Sequence, residues 1–97
     1  GIEDIVKWMS HNPARLYKID RRGFIRKGYF ADLVLVDLNA NYTITQDNIL
    51  YKCKWSPLEG YTLNSKIVST FVNGKNVFDN GKIIEGNKSS MKLKFNR

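Results

Sequence analysis

Side chains that could perform chemistry are few in this sequence and widely spaced. One histidine, His11, and one cysteine, Cys53, stand among 97 residues. A metal-dependent hydrolase needs several His, Cys, Asp or Glu ligands that converge from different elements. The acids beyond the N-terminal stretch are scattered, with no pair at a spacing suited to acid/base catalysis: Asp20, Asp32, Asp37, Asp47, Glu59, Asp79 and Glu85. The sequence therefore predicts no catalytic, substrate-binding or metal-ligating residue in this chain, and no bound cofactor.

The two reactive side chains each have a structural interpretation. His11 precedes Asn12, where a histidine commonly interacts with the end of the preceding helix, and we favour that role over catalysis. Cys53 lies between Lys52 and Lys54, which could activate a thiolate, but no histidine or orienting group accompanies it. We therefore expect Cys53 in a strand. A single cysteine excludes an internal disulfide and fits a reducing compartment such as the cytoplasm.

The net charge of +7 raises nucleic-acid binding as a possibility. The densest basic group is Arg21, Arg22, Arg26 and Lys27, but no zinc-finger spacing or RNP-like aromatic motif accompanies it. A solvated or partner-facing surface is the preferred interpretation, and nucleic acid is an unlikely partner. No glycine-rich phosphate loop is present, and the longest apolar run, residues 33–36, is far shorter than the roughly 20 residues of a membrane span.

Two short helices are predicted at the start of the chain. Ile2, Ile5, Val6 and Met9 recur at helical spacing and predict a helix ending near His11. In the following "NPA", the side chain of Asn12 is expected to cap a second helix, with Pro13 at its first position and an end near residue 19.

Strand and turn signals dominate from Gly23 onward. A strand is predicted over residues 31–38, because its residues 33–36 are apolar on both alternating faces, as in a strand buried on both sides. Strands are also expected around residues 42–45 and at "KIIE". "DNILYKCKW" is given an extended conformation, and "SPLEG" a loop shaped by its proline. Asn73-Gly74 between "KIVSTFV" and "KNVF" predicts a hairpin with a type I′ turn. Residues 91–95 should dock, and the large aromatic residues should pack: Trp8, Trp55 and Tyr61.

These elements predict an α+β fold, with two N-terminal helices followed by mainly antiparallel strands. A strand that is apolar on both faces needs cover on both sides, and this chain offers little material for it. The sequence also begins with Gly1, without an initiating methionine. We therefore interpret the chain as a piece of a longer protein.

"MSHNPARLYKID" followed by "GFIRKGYFADLVLVDLN" resembles the C-terminal end of the amidohydrolase superfamily. The order and spacing of "SPLEG" and "TFVNGK" are similar to the dihydroorotases in particular, and the likeness spans essentially the whole chain. Relatives often have glycine where Lys18 stands, which puts a left-handed helix end in doubt here.

The resemblance implies a parent enzyme with a TIM-type barrel and a composite β-sandwich. Residues 1–22 would be the terminal helices of the barrel, and residues 23–97 the C-terminal part of the sandwich. The parent would interconvert N-carbamoyl-aspartate and dihydroorotate in pyrimidine biosynthesis with zinc-activated hydroxide. The family's metal ligands and catalytic aspartate would lie upstream, so this segment alone would be inactive.

The sequence leaves alternatives open for the partners and for the function of the chain. The missing N-terminal strands and barrel of the parent would cover the apolar strand, and without them the chain could self-associate. For the function, a hydantoinase- or allantoinase-like parent is the alternative to a dihydroorotase. A basic, non-enzymatic binding module is a further alternative, and it would show affinity for nucleic acid that falls steeply with salt.

Overall fold

A continuous helical segment opens the structure, a computed structural model that describes residues 1–86 and 88–97. It consists of α1 (Ile2–Val6), a π-helical turn (Lys7–His11) and α2 (Asn12–Tyr17). The prediction of two helices separated by a cap at Asn12 was wrong, because Asn12 has helical angles (φ −64°, ψ −45°). Pro13 cannot donate a hydrogen bond to the preceding turn, and the wider π turn accommodates it without breaking the helix.

The helix ends in a left-handed residue even though glycine is absent there. Lys18 has φ 53° and ψ 48°. The amide of Ile19 donates to the carbonyl of Ala14 at 3.0 Å, and the amide of Lys18 donates to that of Arg15 at 3.3 Å. These two bonds form a Schellman motif. The helix end that the sequence had put in doubt is therefore retained, with strain at Lys18.

Antiparallel strands make up the rest of the fold. They are β1 (Leu33–Asp37), β2 (Tyr42–Thr43), β3 (Thr62–Leu63), β4 (Lys66–Val72), β5 (Lys75–Asp79) and β6 (Lys82–Ile83). The main sheet has the order β1-β4-β5-β6, and β2 pairs with β3 separately. The hairpin predicted at Asn73-Gly74 is confirmed, since it joins β4 to β5 with φ angles of 50° and 82°.

Residues 47–55 do not form the extended segment that was predicted. A 3-10 helix (Gln46–Asn48) leads into turns that contain Cys53, so the expected strand position of this cysteine was also wrong. Asn48 accepts a bond from the Thr45 amide at 2.9 Å and donates to the Thr43 carbonyl at 2.7 Å. Such local side-chain bonds satisfy the backbone without a strand partner.

The end of the chain returns to the helix terminus. Phe95 forms an antiparallel bridge with Ile19. The Asp20 amide donates to the Lys94 carbonyl, and the Asn96 amide to the Lys18 carbonyl, both at 2.8 Å. The predicted docking of residues 91–95 is confirmed at Phe95, and it ties the last residues to the loop after α2.

Apolar side chains are poorly covered. Ala14 and Ile49 are the buried apolar residues in the described part of the chain. The accessible surface is 7939 Å², against about 5,700 Å² expected for a folded monomer of this mass. The Cα radius of gyration is 15.3 Å, against about 12.5 Å expected for this length. The fold therefore leaves roughly 2,200 Å² more surface open than a closed monomer would.

Strand β1 shows this openness most clearly. It forms one edge of the main sheet and pairs with β4 alone within the described residues. Val34 and Leu35 point to opposite faces, and each is 56% exposed. The strand predicted to be buried on both sides is present, but the described residues cover neither side.

Candidate interaction surface

A buried arginine connects the loop after α2 to the main sheet. Arg22 is only 8% exposed and forms an ion pair with Asp32, which precedes β1. It also donates to Oδ1 of Asn73 at 2.9 Å, and the Asn73 amide donates to Asp32 Oδ1 at 2.8 Å. The Asn73 side chain in turn donates to the carbonyl of Ser89. This Arg22 network fixes the loop, the start of β1, the hairpin turn and the C-terminal segment together.

The basic group predicted from the sequence does not act as one patch. Arg22 is turned inward, whereas Arg21 donates to Asp20 at 3.0 Å. That bond, helped by a 3.3 Å bond from Asn96, holds the pKa of Asp20 below its ordinary value. Arg26 stacks on an aromatic ring. Sequence reasoning missed this division because the partners Asp32 and Asn73 lie 10 and 51 residues from Arg22.

His11 packs against an aromatic ring. Its imidazole lies parallel to the Phe24 ring, with centroids 4.2 Å apart and planes 9° apart. This contact supports the structural interpretation of His11, although its partner is Phe24 and not the helix end that was expected. The stacking brings the π turn against the loop that precedes β1.

No metal site can be assembled from the described residues. Across residues 1–86 and 88–97, no group of three or more His, Cys, Asp or Glu side chains lies close enough to hold an ion. Cys53 is exposed, and its Sγ lies 3.9 Å from the Trp55 carbonyl. The donor set of the described residues therefore does not fit zinc. In the same residues, no helix has the length and apolar character required to cross a bilayer.

An apolar groove runs between the N-terminal helix and β1, and we call it the β1 groove. Its volume is about 710 Å³. Val6 of the helix lies on one side and Leu33, Val34 and Leu35 of β1 on the other, with Phe71 of β4 also lining it. Because the backbone of β1 is unpaired along this edge, the groove offers both apolar contacts and main-chain hydrogen bonds.

Close packing of the loop against the helix shapes one end of the groove. Gly23, with φ 86°, approaches the helix so closely that an added Cβ would lie 2.5 Å from Cβ of Ala14 and 2.7 Å from the Ser10 carbonyl oxygen. No other residue type fits there without displacement. The glycine thus sets the distance between the helix and the loop that leads to β1.

Large aromatic residues add to the open surface. Trp8 and Trp55 are each 65% exposed, and Tyr61 is 59% exposed. The sequence predicted these residues as packing groups, but within this chain they do not pack into a core. The "SPLEG" loop does form the predicted turn, and Gly60 donates from its amide to the Ile44 carbonyl at 2.7 Å. These exposed aromatic side chains extend the candidate interaction surface around the β1 groove.

Comparisons with known proteins agree on one family. The model of the amidohydrolase family matches residues 2–77. A dihydroorotase of Pyrococcus horikoshii is 40% identical over 83 residues, which are 86% of this chain and 20% of that protein. An allantoinase of Desulfitobacterium hafniense is 36% identical over 80 residues, covering 82% of this chain and 18% of that protein.

A solved structure supports the same grouping. The L-hydantoinase (dihydropyrimidinase) from Arthrobacter aurescens superposes with a TM-score of 0.76 at 28% identity, covering 87% of this chain and 19% of that one. The chain thus spans about a fifth of the length of the curated relatives and of the structure it matches.

Proposed function

Because the chain belongs to the amidohydrolase family, we propose that it is the closing segment of a dihydroorotase-type hydrolase and has a structural role in that enzyme. The reaction of the parent would be the reversible interconversion of N-carbamoyl-aspartate and dihydroorotate in pyrimidine biosynthesis. Residues 1–22 would complete a barrel and residues 23–97 a β-sandwich. A cytoplasmic location is part of the proposal, supported by the single cysteine.

The observation that carries the structural role is the open surface of β1. Its free edge and the β1 groove require an extended, apolar partner, and the excess accessible surface of roughly 2,200 Å² is more than one partner contributes to a standard interface. The occupant we propose is a strand of the same polypeptide from outside these 97 residues. The relatives are about five times longer than the matched region, which supplies ample chain for this purpose.

Members of the amidohydrolase family generally use metal ions. The described residues of this chain do not fit a metal, so we propose that the zinc of the parent enzyme is held entirely by residues outside the chain. No step of the reaction is assigned to a side chain of this chain.

A chimeric enzyme tests the structural role. The matched region of the Pyrococcus horikoshii dihydroorotase would be replaced by this chain, and we expect the chimera to retain turnover of dihydroorotate. His11→Ala and Cys53→Ala in the chimera should then leave kcat nearly unchanged, with Trp55→Phe as a matched exposed control. A kcat loss of about 100-fold or more on either substitution in a folded chimera would indicate general acid or base catalysis and contradict the proposal.

The allantoinase and L-hydantoinase similarities support a second candidate, a parent that opens another cyclic amide. The complete parent polypeptide, assayed with dihydroorotate, allantoin and a hydantoin, distinguishes the two. We expect the highest kcat/KM for dihydroorotate. A preference for allantoin or hydantoin would favour the second candidate.

A further inference from the structure

A small cavity beside α2 is lined by three arginines. Its volume is about 180 Å³. Arg15 comes from α2, Arg22 from the loop after the helix, and Arg26 from the turn before β1. The remaining wall consists of apolar and aromatic side chains: Ala14, Ile19, Phe24 and Tyr29.

In the part of the chain that the structure describes, two of the three guanidinium groups have no acidic partner. Arg22 is neutralised by Asp32. Arg15 and Arg26 form no ion pair with any residue in ranges 1–86 and 88–97. The lining of the cavity therefore has two positive charges that no carboxylate among these residues neutralises.

The two unpaired groups both lie against the same aromatic ring. The Cζ atoms of Arg15 and Arg26 lie 5.0 Å and 4.0 Å from the centroid of Phe24. Phe24 itself is fixed by the parallel stacking of His11 and by an edge contact with Tyr29. A guanidinium placed over an aromatic ring keeps most of its N–H groups available, so donors of both arginines are held in place for a ligand.

The hydroxyl group of Tyr29 adds a further donor. Arg26 donates to the Tyr29 hydroxyl oxygen at 3.4 Å, which leaves the hydroxyl hydrogen free to donate elsewhere. We propose that this cavity binds a tetrahedral oxyanion, namely phosphate as the free ion or as the end group of a phosphomonoester. Two guanidinium forks and a hydroxyl supply more donors than the two oxygens of a carboxylate can accept, whereas the three or four oxygens of phosphate can accept them all. Binding also removes the repulsion between the two cations.

Titration calorimetry of the purified protein at low, fixed chloride concentration tests the proposal, with inorganic phosphate, glycerol phosphate and acetate as probes. We expect one phosphate per chain and weaker binding of acetate. Tighter binding of inorganic phosphate would assign the free ion, and tighter binding of glycerol phosphate would assign the ester. Arg15→Gln or Arg26→Gln should each weaken phosphate binding at least about tenfold, because each removes a charged donor.

Lys27→Gln and Lys52→Gln are charge-matched controls outside the cavity lining and should change the affinity less than about twofold. Tyr29→Phe keeps the ring and should weaken binding by removing the hydroxyl. No phosphate binding, equal affinity for acetate, or equal loss in the lysine controls would overturn the proposal. Tighter binding of a single-stranded oligonucleotide that the lysine controls weaken equally would also overturn it, in favour of a diffuse nucleic-acid surface.

Discussion

Replacing Gly23 by alanine should push the N-terminal helix away from the loop that follows it. The added Cβ would lie 2.5 Å from Cβ of Ala14 and 2.7 Å from the carbonyl oxygen of Ser10, distances well inside van der Waals contact. Neither neighbour is the end of a flexible side chain, so the helix itself must move. Gly23 also has φ 86°, which L residues rarely adopt.

The expected cost has two parts. The left-handed conformation costs an L residue about 1–2 kcal/mol, and overpacking costs about 1–3 kcal/mol more. The free energy of unfolding should therefore fall by about 2–5 kcal/mol, which approaches the whole stability of a small domain. Gly28 provides the matched control, since its φ of 84° is nearly the same and no atom lies within 4 Å of its added Cβ. Gly28→Ala should cost only the conformational part, about 1–2 kcal/mol.

Urea unfolding followed by circular dichroism measures both losses. In the double variant Ala14→Gly/Gly23→Ala, the closest contact disappears while the Ser10 contact remains. The double variant should be more stable than the sum of the two single losses predicts. Equal destabilisation by Gly23→Ala and Gly28→Ala would refute this reasoning, because the close contact of residue 23 with the helix would then add nothing to the loss of stability.

Three further predictions concern the loop after α2. Lys18→Gly should raise the free energy of unfolding by about 1 kcal/mol, because glycine adopts the left-handed conformation of residue 18 without strain. Thermal denaturation would detect the gain, and an unchanged or lower melting temperature would count against strain at Lys18. Asp32→Ala should lower the free energy of unfolding by about 1.5–3 kcal/mol, because it leaves Arg22 buried without its acidic partner. Asp47→Ala, at an exposed site, should have little effect on the free energy of unfolding. Arg21→Gln should raise the pKa of Asp20 in a carboxyl NMR titration, since Arg21 is the main cause of the lowered value. Because the folded pKa lies below the unfolded one, the stability from Asp20 is complete above the unfolded pKa and is lost as pH falls through the folded value; a pKa unchanged by Arg21→Gln would contradict this cause.

Much of the strand arrangement could be predicted from local sequence signals. Asn73-Gly74 determines a type I′ turn by itself, and the continuous apolar run of residues 33–36 is visible without a structure. The helical segment was predicted less well. The capping preference of Asn12 and the position of Pro13 both indicate a new helix, but a π turn absorbs the proline instead.

The polar contacts could not be predicted, because they depend on residues far apart in the chain. Arg22 and Asn73 are 51 positions apart, and only the fold brings them to 2.9 Å. Arg15 and Arg26 share one aromatic ring for the same reason. In the sequence, Arg22 and Arg26 are two members of one basic stretch, and their opposite roles as a paired and an unpaired cation follow from where Asp32 lies.

The central claim is that this chain is an incomplete sandwich whose β1 edge and groove need a partner. Sedimentation velocity over a dilution series tests it most directly. We predict self-association that weakens on dilution, through the β1 edge or the apolar helix face of Ile2, Ile5 and Met9, which are 41–75% exposed. Val34→Lys, which places a charge on the exposed edge strand, should shift the distribution toward monomer. A compact, strictly monomeric species at all concentrations, with one cooperative unfolding transition, would show that these 97 residues close their own core and would contradict the account.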